Sequence, residues 1–260
     1  MVKIGITGYG VVGRHLYQRL MLARPKEPAP IIYDPAAYIS STKEEINKCD
    51  IVFVAVPTQP NPDGSCDTSI VEDVVSWING PVIVIRSTIP VGFTNKLKGS
   101  SQKRIIFQPE FLGETVDHPM NDDKSHIVLG GDRKDTQVIA DFYQTIYNAY
   151  TKIIQTDAKT AELLKYMRNS FFAMKVIFCN EFFDIATDMG IDYHELRELF
   201  ILDPRTTPSH TFVYPEKRGY DGKCFPKDVK AIIYQAENGW NTDVTLLKAI
   251  NKKNTEVYKK

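Results

Sequence analysis

The run Gly8-Tyr9-Gly10-Val11-Val12-Gly13 narrows the choice of fold more than any other stretch of the chain. A short apolar segment of strand length, Val2-Lys3-Ile4-Gly5-Ile6, precedes it, and Arg14 to Leu22 after it has helical character. A GxGxxG pattern alone is weak evidence, but a strand, a glycine turn and a helix in that order open a dinucleotide-binding α/β unit. Gly8 allows the tight turn, Gly10 lets a pyrophosphate approach the backbone at the helix start, and Gly13 lets the helix pack close to the strand. Tyr9, Val11 and Val12 complete the turn. A second strand, Ile31-Ile32-Tyr33, ends at Asp34, about twenty residues past the glycines. A carboxylate there accepts hydrogen bonds from a ribose diol and repels a 2′-phosphate, which favours NAD over NADP. The competing reading is a glycine turn with an unrelated aspartate.

Further α/β units follow. Asp50 to Pro57 holds the near-continuous apolar run Ile51-Val52-Phe53-Val54, as expected of a strand buried on both faces, and Ser69 to Ile78 is helix-like. Val82 to Ile85 runs into Arg86-Ser87-Thr88-Ile89-Pro90-Val91-Gly92, and Arg104 to Phe107 runs into Gln108-Pro109-Glu110-Phe111-Leu112-Gly113-Glu114. Polar or proline-bearing motifs thus stand repeatedly just past strand ends, the edge at which open parallel sheets bind ligands. Each one alone reads equally as turn chemistry. Ile127 to Gly131 and Lys152 to Ile154 complete a parallel Rossmann-like sheet.

From Asp157 to Met189 the chain has neither proline nor glycine, and apolar residues recur at helical spacing, which predicts one long helix. The expected division is a Rossmann-like NAD-binding domain over 1–156 and, over 157–260, this helix with a small all-helical domain. Glu162, Lys165 and Asn169 share a helix face, so Lys165 and Asn169 can aim two donors at one oxygen. Periodicity by itself favours a solvated helix face. Ile191 to Ile201, Asp228 to Glu237 and Val244 to Asn254 also look helical, with a turn-rich ordered loop from Asp203 to Lys223.

That loop ends in Gly219-Tyr220-Asp221-Gly222-Lys223-Cys224-Phe225-Pro226-Lys227-Asp228, which places a cysteine just before a proline that can open a helix. The first N–H groups of a helix are unpaired and partly positive, so a thiol there is pushed toward thiolate, with lysines on both sides assisting. Asp228 lies one turn on. This is how a covalent-catalysis cysteine is arranged; otherwise the cysteine is incidental to a helix start.

Composition limits the partners. With 32 basic and 32 acidic side chains the net charge is zero, so nothing points to a nucleic-acid footprint or an anionic membrane surface. No apolar run approaches a membrane span. Cys49, Cys66, Cys179 and Cys224 show no CxxC spacing, and no secretory signal opens the chain, so reduced thiols in a cytoplasmic protein are expected. The five histidines, His15, His118, His126, His194 and His210, have no ligand spacing, and no metal site is expected.

Motifs along nearly the whole chain resemble the UDP-glucose 6-dehydrogenases, within the UDP-glucose/GDP-mannose dehydrogenase family. They are GYGVVG at 8–13, AVPTQP at 55–60, STIPVG at 87–92, PEFLGE at 109–114, AELLKYMRNS at 161–170, DPR at 203–205 and GKCFPKD at 222–228. The resemblance implies an NAD-dependent, two-step oxidation of a sugar primary alcohol to a carboxylate, on a nucleotide sugar and in the service of polysaccharide biosynthesis. In it, Cys224 captures the aldehyde and carries a thioester. Lys165 and Asn169 match the pair that stabilises the oxyanion, Asp228 and Thr88 match groups that position or activate water, and Glu114 matches the proton-transfer carboxylate. Cofactor contacts are implied for Val56, Pro57, Thr58, Ser87, Thr88, Glu114 and Lys227, and substrate contacts for Glu110, Phe111, Leu112 and Gly222. Arg205 resembles an arginine that reaches the substrate of a neighbouring subunit, implying a homodimer through the long helix and the helical domain.

There are departures. Asp221 replaces a glycine of the usual Gly-Gly pair, which would be strained if its φ were positive. Gln108 stands where the family commonly has Asn. The chain reads as a short form without the C-terminal UDP-binding domain. Two other functions stay open: a dehydrogenase of a smaller hydroxy acid or sugar, and a catalytically silent NAD-binding subunit.

Overall fold

The computed structural model describes residues 1–37, 41–99, 101–112 and 125–259. Among these the chain forms two compact units; the first is made mostly of residues up to Lys165 and the second mostly of Tyr166–Lys260, with Pro60–Ser65 joining the second.

The first unit alternates strands and helices in the order β1 Ile4–Thr7, α1 Val11–Ala23, β2 Ile31–Tyr33, α2 Lys43–Ile46, β3 Ile51–Val54, α3 Ser69–Trp77, β4 Val82–Ile85, α4 Phe93–Gly99, β5 Ile105–Phe107, β6 His126–Gly130, α5 Arg133–Gln144 and β7 Lys152–Thr156. The strands lie in one sheet in the order β2-β1-β3-β4-β5-β6-β7. From β2 to β5 every pairing is parallel. The sheet expected from the sequence is present with one departure: β6 meets β5 antiparallel at Phe107–Gly130, while β6 and β7 are parallel to each other. An apolar strand records that both faces are buried, but not its direction. The sheet is therefore mostly parallel and Rossmann-like.

Alternation along each strand feeds two apolar layers. Val52, Val54, Ile83, Ile85, Ile105 and Phe107 face one layer, where α3 adds Val71, Val74 and Val75. Ile51, Phe53, Val82, Val84 and Ile106 face the other, with Leu16 and Leu20 of α1 and Ile139, Phe142 and Tyr143 of α5. Short α2 and the helices α4 and α5 were not among the helices expected from the sequence, although Thr42 and Glu45 form a capping box at the start of α2.

The long helix α6 runs Ala158–Asp188. From Tyr166 onward it belongs to the helical unit, with α7 Tyr193–Phe200, α8 Phe225–Gly239, α9 Thr245–Lys253 and a π-helical turn Asn254–Tyr258. Ala173, Ile177, Tyr220, Val229 and Ile250 form the core shared by α6, α8 and α9. Helix α8 starts three residues before the expected Asp228, so that Cys224 is its N-cap residue. No described helix is long and apolar enough to cross a membrane.

Candidate active site

In the first unit, the loops after β1, β3, β4 and β5 leave the same edge of the sheet, because those strands are parallel. The glycine turn after β1 is shaped by close contacts. Gly8 has φ 88°, and a Cβ on it would lie 2.5 Å from the Ala55 carbonyl oxygen. A Cβ on Gly13 would fall 2.0 Å from the Gly8 oxygen, so the fold itself requires both glycines. Gly10 differs: its φ is −72°, which any residue adopts, and a Cβ there would meet nothing within 4 Å. Among the described residues no close contact demands that glycine, whereas a ligand lying against the backbone would. The helix start it caps carries no side-chain capping bond, which leaves the partial positive end of α1 for an anionic group. These features fit the pyrophosphate of NAD. Asp34 braces the turn, its carboxylate accepting from the Tyr9 N–H at 2.7 Å and the Ala36 N–H at 2.9 Å. Val11 is exposed and Val12 half-buried on the first turn of α1.

After β3, Val56 and Thr58 are buried and Pro57 is exposed. The Ser87 hydroxyl, at the end of β4, donates to the Val56 carbonyl at 2.7 Å and ties these two loops together. Thr88 is half-buried, and its carbonyl accepts from the Cys66 thiol at 3.6 Å.

Buried charges support the β4 and β5 ends. Arg86 and Glu110 form an ion pair, both almost fully buried. Glu110 also accepts from the Phe111 N–H at 2.8 Å, and its carbonyl accepts from Lys165 Nζ at 2.6 Å. Lys165 Nζ lies 5.8 Å from the Phe111 ring centre. Gln108 is held by the buried Tyr143 hydroxyl, which donates to its Oε1 at 2.6 Å; the longer side chain thus has a partner of its own. Glu162 accepts from the Gly92 N–H at 2.5 Å and the Thr94 N–H at 2.9 Å, and so caps α4 from another helix. Burial pushes its carboxyl above the usual range, against the pull of those N–H groups. Sequence reasoning did not single out Arg86. The available signal was a charged residue ending an apolar strand, where burial demands an opposite charge.

In the second unit, Cys224 is half-buried at the N-cap of α8, with Pro226 in the first turn. Its carbonyl accepts from the Asp228 N–H at 2.9 Å, closing that turn. Asp228 is fully buried. One carboxylate oxygen accepts from Asn169 Nδ2 at 2.6 Å, and the other pairs with Lys227 Nζ at 2.7 Å. Lys165 and Asn169, one turn apart on α6, are therefore held to different acceptors, Glu110 and Asp228, rather than to one oxygen. Helical spacing sets a shared face; the partners that meet it set the aim.

Asp221 is not in the left-handed region; that conformation falls to Gly219 and Gly222, with φ 69° and 83°. The Asp221 carboxylate turns back on the Gly222 N–H at 2.8 Å and lies 3.5 Å from Lys259 Nζ. That N–H and the lysine charge hold its carboxyl below the ordinary range. Arg205 is exposed and paired with Asp203, Nε to Oδ1 at 3.0 Å. Glu114 lies outside the described residues.

A cavity of about 940 Å³ opens at the other end of the strands, by Val2, Asp50 and Arg104. None of the candidate site residues lines it.

Fold and site together define a dinucleotide-binding α/β unit followed by a helical unit that presents a cysteine at a helix start. Residues 36–151 match the NAD binding domain of the UDP-glucose/GDP-mannose dehydrogenase family and residues 159–256 match its central domain, and the chain belongs to that family. It is 31% identical over 235 residues to the UDP-glucose 6-dehydrogenase of Rickettsia prowazekii, an alignment covering 85% of this chain and 52% of the relative. The chain thus spans about half the length of the curated relatives it matches. The UDP-glucose dehydrogenase structure from Pyrobaculum islandicum superposes with TM-score 0.80 at 26% identity, covering 98% of this chain and 68% of that one. The fold is also that of Mycobacterium tuberculosis 3-hydroxyisobutyrate dehydrogenase, with TM-score 0.71 at 18% identity over 98% of this chain and 93% of that one.

Proposed function

We propose that the chain catalyses NAD-dependent oxidation of the primary alcohol of a UDP-glucose-like nucleotide sugar to the carboxylate, through a thioester on Cys224. The observation that carries this reading is the N-terminus of α8: a half-buried thiol at the cap, with a buried carboxylate one turn on that fixes the amide of Asn169. A sugar oxidation that stopped at one hydride would need no nucleophile there.

The roles follow from the chemistry. The glycine turn and Asp34 would hold NAD, which when bound would supply the hydride acceptor for both oxidations. After the first, the Cys224 thiolate adds to the aldehyde carbon, forming a C–S bond and an alkoxide. Lys165 and Asn169 stabilise that oxygen. Each has further N–H groups beside the one given to Glu110 or Asp228. Loss of the second hydride from the same carbon re-forms the carbonyl as a thioester. Water then adds, the C–S bond breaks, and the carboxylate leaves with Cys224 restored as thiolate. Thr88 and Asp228 position that water, and Glu114 takes its proton. Val56, Pro57, Thr58, Ser87 and Lys227 serve the cofactor side; Glu110, Phe111, Leu112 and Gly222 serve the sugar nucleotide.

A homodimer completes the proposal. Phe171, Phe178, Phe182 and Ile185 lie along one stripe of α6, which Met189 continues just past the helix end, and each is more than two-fifths exposed. A stripe this apolar on a long helix suits a self-complementary contact with a second copy, related by a two-fold axis. Arg205, also exposed, is the side chain proposed to reach a neighbour's substrate.

The test is incubation of the protein with NAD and a panel of UDP- and GDP-sugars, following NADH and acid. Two NADH per acid are expected, and Cys224→Ala should make no acid. A Cys224→Ala protein as active as wild type would end the thioester mechanism.

A further inference from the structure

The segment before Cys224 has little regular structure, yet its final residues are gripped from two sides. Asn254, in the π-helical turn, is buried, and its amide accepts from the Tyr220 N–H at 2.8 Å and donates to the Tyr220 carbonyl at 3.1 Å. One side chain thus satisfies both backbone groups of a residue four positions before the thiol, as a neighbouring strand would. Gly219 makes the approach possible: it has φ 69°, and a Cβ there would lie 2.4 Å from Asn254 Oδ1 and 2.9 Å from Tyr258 Cβ.

The second set of contacts comes from the C-terminal part of α6. Asn180, also buried, accepts from the Gly219 N–H at 3.1 Å and from Arg218 Nε at 2.6 Å. Arg218 donates further to the Asn180 carbonyl at 2.8 Å and to Asp184 Oδ1 at 2.6 Å. Its guanidinium lies 4.5 Å from the Phe183 ring centre and 4.9 Å from that of Tyr258, whose hydroxyl donates to Asp184 at 2.9 Å. Beyond the grip, the buried Tyr220 ring meets Phe225, the residue after Cys224, edge-on at 6.4 Å.

We propose that Asn254 and Asn180 are positioning residues for Cys224, fixing the thiol at the N-cap of α8 by pinning the backbone of Gly219 and Tyr220. This rests on Cys224 being the nucleophile. Neither asparagine is assigned a place against substrate or cofactor. Their action is to remove conformational freedom from the loop, so that the thiol meets the reacting carbon in one geometry. Loss of the Asn254 amide leaves both buried backbone groups of Tyr220 without that partner, and loss of the Asn180 amide does the same for the half-buried Gly219 N–H, which the loop relieves by opening to water.

The test combines hydrogen exchange with kinetics on the full chain. In wild type, the Tyr220 amide should exchange slowly, although it sits in a turn-rich loop. In Asn254→Ala, and separately in Asn180→Ala, exchange over 218–224 should quicken by at least ~10-fold while the sheet strands exchange as before. On the nucleotide sugar that wild type oxidises, kcat should fall by at least ~10-fold with the KM for NAD unchanged, since the glycine turn is untouched. A fast-exchanging Tyr220 amide in wild type, or a loosened loop with wild-type kcat, overturns the proposal. So does a kcat loss that merely tracks faster exchange across the sheet. If one variant fails to fold, the other variant and the wild-type exchange decide. A wild type that oxidises no nucleotide sugar defeats the catalytic reading itself, whereas the exchange measurements still decide whether the grip exists.

Discussion

Replacing Gly10 by alanine should separate binding from folding. A Cβ at that position meets nothing within 4 Å and the backbone has φ −72°, so no clash and no strain arise. Two small effects oppose each other. Alanine lowers unfolded-state entropy, worth about 0.4–1 kcal/mol of stability. Alanine is also a poorer N-cap than glycine for α1, costing up to about 1 kcal/mol. The net change lies within about 1 kcal/mol, or at most ~4 °C in Tm for a chain of this size. The same methyl group projects into the space proposed for the pyrophosphate. Overpacking of one methyl at a close approach costs about 1–3 kcal/mol. That converts to NAD binding weaker by ~5- to 150-fold. Thermal melts without NAD and titration calorimetry with it measure the two quantities on one sample. Gly13→Ala is the control, because its Cβ would sit 2.0 Å from the Gly8 oxygen and the fold should suffer directly. A Gly10→Ala protein with wild-type stability and wild-type NAD affinity would refute the idea that this backbone carries the cofactor.

Other expectations follow from buried groups and the exposed stripe. Glu162→Gln keeps one acceptor for the start of α4 and should cost about 1–3 kcal/mol in urea unfolding, with Glu162→Ala costing more; no loss in the alanine variant would mean that α4 is capped otherwise. Because burial raises the Glu162 carboxyl above its ordinary value, its contribution is full in acid and declines as pH rises through the folded value. The gap between wild type and Glu162→Gln should therefore be wider near about pH 4 than near about pH 7. Burial pushes the Cys49 thiol from the ordinary 9.0 up to about 11 and also raises Cys179. Iodoacetamide at mildly alkaline pH should therefore label the half-buried Cys66 and Cys224 first, and peptide mapping that found Cys49 labelled first would contradict this. The stability that comes from keeping Cys49 protonated is present below pH 9.0 and is lost as pH rises toward about 11. Phe178→Glu with Ile185→Glu should leave a monomer in sedimentation at concentrations where wild type is a dimer; an unchanged sedimentation coefficient would remove α6 as the contact.

What could be read from the sequence and what could not divide along a physical line. Glycine spacing, strand-length apolar runs and a proline-free stretch are local properties, and they were enough for the dinucleotide unit, the strands through β5 and the span of α6. The position of Cys224 at a helix start was legible for the same reason, within three residues. Strand direction was not, because an apolar strand reads alike either way; β6 turned out antiparallel to β5. The partners of buried polar groups were not legible either. That Glu162 caps α4, that Gln108 meets Tyr143, that Asp228 holds Asn169, and that Asn254 takes both backbone groups of Tyr220 depend on segments far apart in the chain being brought together. The sequence alone determined which residue types lie at which strand ends and helix starts, since backbone sterics and helix periodicity act over a few residues. Only the tertiary structure decided which of those groups are bound to each other, since burial leaves each of them one affordable state, hydrogen-bonded, and the fold selects the partner.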